Sequence, residues 1–216
     1  MTDGKFITLE GIEGAGKSSC MKVVEALLRQ AGHEVLVTRE PGGTPLGEDL
    51  RVLLLGHKHA GMADDTELLL MFAARAEHLR NRIEPAIQSG QWVLCDRFTD
   101  ATYAYQGGGR GLDVHRIKQL ENWVQGGTKP DLTLLLDLPV ATGLERAGKR
   151  STPDRIESEA SGFFQRVRDA YLAIAANEPE RVKLIDASRS FPEVAAQLEE
   201  QLSLLLSKPR GEDASG

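Results

Sequence analysis

"FITLEGIEGAGKSSCMKVVEALLRQAG", residues 6–32, decides the fold. Its first six residues are strand-length and apolar on both alternating faces, the pattern of a strand covered from both sides in a parallel sheet. Gly11, Gly16, Lys17 and Ser18 then satisfy G-x-x-x-x-G-K-[ST]. Apolar residues at 20, 21, 23, 24, 27 and 28 follow at helical spacing, so a helix is predicted over 18–31, stopped by Gly32. Strand, glycine loop and helix together point to phosphate: backbone N–H groups converge on phosphate oxygens at the helix N-terminus, and Lys17 adds a point charge. Ser18 offers a hydroxyl to magnesium. A glycine-rich turn that binds nothing is the plain alternative, and the elements on either side weigh against it. The loop nevertheless carries Glu13, an anion inside an anion site.

Working outward, four more short apolar runs stand at 34–38, 92–96, 132–138 and 181–187, separated by helical patterns such as 66–88. Strands alternating with helices make an α/β chain, a doubly wound parallel sheet flanked by helices of the P-loop type, with ligands at the carboxyl ends of the strands. No repeat or Pro/Gly/Ser-rich linker divides 1–207, so one domain is expected, followed by a polar tail over 208–216 that is expected to fray. Three long or glycine-rich loops, 39–47, 106–111 and 148–155, are the expected seats of function.

Composition removes several classes. A net charge of −6 argues against a broad footprint for nucleic acid or anionic lipid. No stretch approaches the roughly 18 to 20 apolar residues of a membrane span, and the start lacks a signal-peptide layout. Two cysteines, Cys20 and Cys95, supply neither a disulfide framework nor metal-ligand spacing. The expectation is a cytoplasmic protein with no membrane and no nucleic-acid partner.

Asp96 ends the strand WVLCD, where a second carboxylate of a P-loop enzyme reaches magnesium; Arg97 follows at once and can grip another phosphate. Two phosphate grips suggest two phosphorylated ligands. A surface Asp–Arg pair is the alternative. Arg39, Arg51 and Arg110 stand at loop or helix positions, and Arg110 alone reads as a solvated charge. Arg75 differs, because "LLLMFAAR" otherwise looks buried and an unpaired guanidinium there is costly. Phe72 and Met71, three and four residues before it, share its helix face; that suits a planar polar ring, or else a core Phe beside a paired Arg. Thr102, Tyr105 and Gln106 fall on one face at helical spacing, able to read a base and a sugar, unless this is only a turn-rich loop. Arg146, Lys149, Arg150 and Arg155 cluster around Gly148 and Pro153, either a solvated charge run or a mobile basic flap, about 146–157, that encloses phosphates.

Taken together, "FITLEGIEGAGKSS", "TREPGGTPLGEDLR", "FAARAEHL", "DRFTDATYAYQGGGRG" and "PDLTLLLDLP", with "DRIE", resemble the bacterial thymidylate kinases over about residues 5–207. The resemblance implies transfer of the γ-phosphoryl of ATP to dTMP, giving dTDP and ADP for dTTP synthesis, with Mg2+, in a homodimer built on a five-stranded parallel sheet. It implies ATP binding by Gly11, Ile12, Glu13, Gly14, Ala15, Gly16, Lys17, Ser18 and Ser19, and magnesium at Ser18 and Asp96. Arg97 would hold the acceptor phosphate, bordered by Arg51 and by Arg39, Glu40 and Pro41. Arg75, Thr102 and Gln106 would read the thymine edge, Phe72 would stack on the ring, and Tyr105 would close the 2′ face of the sugar. Many relatives carry the aromatic four residues before the arginine, where this chain has Met71. Glu13 would face the acceptor 3′-hydroxyl. Ala15 occupies a P-loop position that carries arginine in other branches, so transition-state charge is expected from Lys17, Arg97 and a lid arginine, Arg146, Arg150 or Arg155, with Arg150 and Arg155 as the catalytic candidates.

Overall fold

The computed structural model describes residues 4–149 and 154–207. Five strands, β1 (Phe6–Glu10), β2 (Val35–Arg39), β3 (Trp92–Asp96), β4 (Leu132–Asp137) and β5 (Val182–Asp186), form one sheet in the order β2-β3-β1-β4-β5, every pairing parallel. This is the doubly wound five-stranded sheet expected from the alternating runs. The three inner strands are buried almost throughout, whereas edge strands β2 and β5 leave Val37 and Leu184 exposed, as an edge covered on fewer sides permits.

The period of two is visible in the packing. Phe6, Val93 and Cys95 join a cluster with Leu79, Ile83 and Phe98, while their neighbours Ile7, Leu9, Trp92 and Leu94 point to the opposite face and pack with α1 (Lys17–Gln30). From α1 that cluster takes Cys20, Met21, Val24 and Leu28, with Val23 and Leu27 packed at its margin, the stripe read from the sequence.

The helix expected over 66–88 is three pieces: α3 (Asp64–His78), a wider π-type turn over Leu79–Ile83, and α4 (Glu84–Gln88), which has Pro85 in its first turn. A second correction concerns 106–111. Residues 106–109 are no loop, and only Arg110 and Gly111 leave the helix: α5 (Thr99–Thr102) runs into a π-type helical stretch over Tyr103–Gly109, against which α8 (Ser161–Asn177) packs. A Cβ on Gly108 would stand 2.6 Å from Ala170 Cβ and 2.9 Å from the Arg166 carbonyl oxygen. These glycines serve close helix contact, not flexibility. The remaining helices are α2 (Pro45–Leu55), α6 (Val114–Gln125), α7 (Val140–Gly148) and α9 (Phe191–Ser207). No helix among the described residues is long and apolar enough to cross a membrane.

The chain leaves β1 with β3 on one side and β4 on the other, the switch point at which a doubly wound sheet opens a crevice. Loops from the ends of β1, β2 and β3 all enter it.

Candidate functional site

At that switch point lies a cavity of about 230 Å³, lined from the β1 loop by Glu13, Gly14, Gly16, Lys17 and Ser18 and from the end of β3 by Asp96 and Arg97. Helix α1 starts after Gly16 with no side chain capping its N-terminus and no acid in its first turn, which leaves that end electropositive. Lys17 Nζ donates to the carbonyl oxygens of Gly11 (3.0 Å) and Ile12 (3.2 Å), folding the side chain back over the loop. Burial, with the nearby charge of Arg97, lowers its pKa from 10.5 to about 8. The loop is held in shape by α7. Gly14, at φ 72°, lies so close to Gly143 that a Cβ on it would stand 1.9 Å from the Gly143 carbonyl oxygen, and a Cβ on Gly143 would stand 2.6 Å from the Glu13 carbonyl oxygen.

Arg97 adopts φ 70°, a left-handed conformation rare outside glycine. Its guanidinium lies 4.7 Å from the centre of the Tyr105 ring and donates to Glu13 (2.8 Å) and to the Tyr171 hydroxyl (3.3 Å). Tyr105 also donates its hydroxyl to Glu13, at 2.7 and 2.8 Å to the two oxygens. Here the carboxylate in the phosphate loop finds its structural reason: Glu13 faces Arg97 and Tyr105, holding the second cationic site together. Tyr171 in turn donates to Glu10, which the Phe98 N–H also reaches. Burial raises the Glu10 pKa from 4.5 to about 8.

Helix α3 supplies the far wall. Glu67, Met71 and Arg75 recur every four residues, hence on one face. Met71 and Arg75 line the cavity. Arg75 Nε donates to Glu40 (2.8 Å) and Nη2 donates to Thr102 Oγ1 (3.0 Å) and the Phe98 carbonyl (3.2 Å), while Nη1, buried, has no partner among the described residues. Glu40 also accepts from His78 Nδ1 (3.0 Å), whose Nε2 lies 2.7 Å from the Thr38 hydroxyl. A buried donor left open in a wall of satisfied groups awaits a ligand acceptor. Arg51 donates to the Pro41 carbonyl (2.8 Å) and Arg39 pairs with Glu48 (2.8 Å), both beside the cavity.

A thymidylate kinase family model matches residues 9–198. The chain is 57% identical over 204 residues to the thymidylate kinase of Alkalilimnicola ehrlichii, covering 94% of each. It is also 57% identical over 208 residues to that of Pseudomonas syringae pv. tomato, covering 96% of this chain and 99% of the other. The chain belongs to the thymidylate kinase family. It is thus a kinase, a phosphotransferase that uses ATP. The crystal structure of thymidylate kinase from Ehrlichia chaffeensis superposes with a TM-score of 0.75 at 34% identity, covering 94% of this chain and 99% of that one.

Within this thymidylate kinase fold the sequence-predicted residues fall as follows. Glu13, Gly14, Gly16, Lys17, Ser18, Arg39, Glu40, Pro41, Arg51, Arg75, Asp96, Arg97, Thr102, Tyr105 and Gln106 converge on the cavity. Gly11, Ile12, Ala15 and Ser19 do not line it; Ile12 and Ala15 turn their side chains into the core. Phe72 is a correction. It is 2% exposed, packs with Leu68 and Ile117, and sits beneath the Arg75 guanidinium at 4.8 Å, while Met71, one position and about 100° around the helix, faces the cavity.

Arg155 is another. Its Nε donates to the Leu54 carbonyl (2.8 Å) and its Nη2 to Glu67 (2.5 Å), so this end of the predicted 146–157 flap is pinned to α2 and α3. Arg146 donates to the Ala187 carbonyl (2.9 Å). Arg150 lies outside the described residues. Arg110 is no solvated charge: it pairs with Glu67 and Glu159 over the Phe163 ring. Sequence reasoning misses Glu67, His78 and Tyr171. Tyr171 continues the buried stripe Phe163, Phe164, Val167, where a phenol needs a polar partner; Glu67 is a carboxylate on a buried face and needs one equally.

Proposed function

We propose that the chain transfers the γ-phosphoryl group of ATP to dTMP, giving ADP and dTDP, by positioning and charge stabilisation rather than covalent catalysis. The observation that carries this is a cavity with two cationic ends: the phosphate loop with Lys17, and Arg97 with the open donor of Arg75. Lys17 and the uncapped α1 terminus take the donor phosphates. Arg97, held by Glu13 and Tyr171, takes the acceptor phosphate, with Arg51 and the Arg39–Pro41 loop alongside. Arg75, Thr102 and Gln106 meet the base, Met71 its face, and Tyr105 the sugar. Of the three lid arginines, Arg146 and Arg155 are engaged elsewhere, which favours Arg150 as the source of transition-state charge.

The residues present fit Mg2+. Asp96 lines the cavity with Ser18, and its Oδ1 is buried without a partner among the described residues. Among those residues no group of three or more His, Cys, Asp or Glu forms a cage, as suits an ion that keeps its waters and takes one or two protein ligands beside phosphate. Bound there, it would neutralise charge on the donor phosphates. Further parts of the proposal are cytoplasmic action and a homodimer. The dimer draws support from an apolar face on α3 and α6 where Trp123 is 82% and Leu69 56% exposed.

The test is ADP release from Mg-ATP with each nucleoside monophosphate in turn, with and without chelator. A rate favouring dTMP and abolished by chelator supports the proposal. Equal rates with every acceptor, or with none, overturn it.

A further inference from the structure

Glu67 belongs to neither phosphate site, yet its 1%-exposed carboxylate joins three segments of the chain. Its Oε1 accepts from Gln106 Nε2 at 2.8 Å, and its Oε2 accepts from Arg110 at 3.2 Å and from Arg155 at 2.5 Å. Burial alone would raise its pKa, but the hydrogen bonds from Gln106 and Arg155 and the charge of Arg110 hold it below the ordinary carboxylate value. An ionised carboxylate only accepts hydrogen bonds. The Gln106 amide can therefore meet it only with its NH2 end, and Oε1 is the end left to the cavity that Gln106 lines.

We infer that Glu67 is a positioning residue that sets acceptor specificity: by fixing the Gln106 amide, it makes this wall present an acceptor beside the open donor of Arg75. A thymine or uracil ring carries N3–H next to a carbonyl, a donor beside an acceptor, and satisfies both. Cytosine carries the reverse pattern, a bare N3 next to an amino group, and would set lone pair against lone pair and donor against donor. Buried mismatches of this kind discriminate far more strongly than the loss of a methyl group does. The inference rests on the dTMP reading above.

The experiment compares kcat/KM for dTMP, dUMP and dCMP in the wild type, Glu67→Gln and Arg110→Met. The amide introduced by Glu67→Gln can offer either of its ends, so Gln106 is free to turn its NH2 to the cavity and donate to cytosine N3, which leaves only the Arg75 donor against the cytosine amino group. The dTMP/dCMP preference should fall at least about ten-fold in Glu67→Gln, while the dTMP/dUMP ratio, which reads only the methyl, stays put. Arg110→Met removes another partner of Glu67 and should keep both ratios. An equal loss for all three acceptors, or unchanged ratios, would overturn the inference in favour of a structural role. Should Glu67→Gln fail to fold, as thermal melting shows, Glu67→Asp carries the same comparison, since it keeps the charge but withdraws it from the amide. A wild type that does not prefer dTMP sinks the functional proposal itself, a result separate from unchanged ratios in the variants.

Discussion

Raising the pH from 7 to 9 should make ATP binding consume protons, because Lys17 loses its charge in the free protein at about pH 8. Phosphate oxygens arriving beside it favour the ammonium form and restore the higher pKa. At pH 9 about nine-tenths of the free protein carries a neutral Lys17, so each binding event takes up about 0.9 proton there and affinity is about ten-fold weaker than at pH 7. The stability consequence has the opposite sense to an ordinary ion pair. The unfolded chain keeps this lysine charged up to pH 10.5, the folded one only to about 8. Its burial therefore weakens the nucleotide-free fold below pH 8, by up to about 3 kcal/mol, and the deficit fades as pH rises from 8 to 10.5. The assay is calorimetric titration with a non-hydrolysable ATP analogue and Mg2+ in two buffers of different ionisation enthalpy, which counts protons directly. Glu10 titrates in the same range, so Lys17→Arg, charged throughout, assigns the uptake. Wild-type affinity that is flat between pH 7 and 9, or proton uptake undiminished in Lys17→Arg, would refute the reasoning.

Phe72→Ala should cost about 3 to 5 kcal/mol of stability, read by urea unfolding, since it empties a core site, whereas Met71→Ala should raise the dTMP KM with a far smaller loss; the reverse pattern would return the ring-stacking role to Phe72. Gly108→Ala should destabilise the fold by about 1 to 3 kcal/mol through overpacking against Ala170 and Arg166, and an unchanged urea midpoint would show that the helix pair yields. Arg155→Ala should lower the melting temperature, because it leaves the buried Glu67 one partner short, while Arg150→Ala should mainly lower kcat. A kcat loss in Arg155→Ala at unchanged melting temperature would restore Arg155 to catalysis.

What the sequence discloses follows from the range over which each signal acts. The strands and the phosphate loop are local patterns of five to eight residues, and each stands where the apolar runs and glycine spacing put it, within a residue or two. Thr102, Tyr105 and Gln106 share one wall because helical spacing is local too. Arg155 misleads because a basic cluster beside a phosphate loop suggests phosphate, while its actual partner, Glu67, lies 88 residues away. Phe72 misleads because neighbouring helix positions differ by about 100° and nothing in the sequence fixes the zero of that angle. The glycine run at 107–109 suggests a loop because glycine commonly marks one; only the approach of α8 shows what the missing side chains make room for.

The contact between Gly14 and Gly143 couples two stretches 129 positions apart in sequence. Neither site has space for even a methyl group, so a change at one cannot be accommodated by shrinking the other, which is already as small as a residue can be. The pair is therefore a frozen coordinate of the molecule, along which substitution has nowhere to go. Helix α7 thus packs within one backbone thickness of the glycine loop between β1 and α1. An inhibitor that wedged those two backbones apart would distort the glycine loop at a place where resistance by side-chain replacement has almost no room to arise.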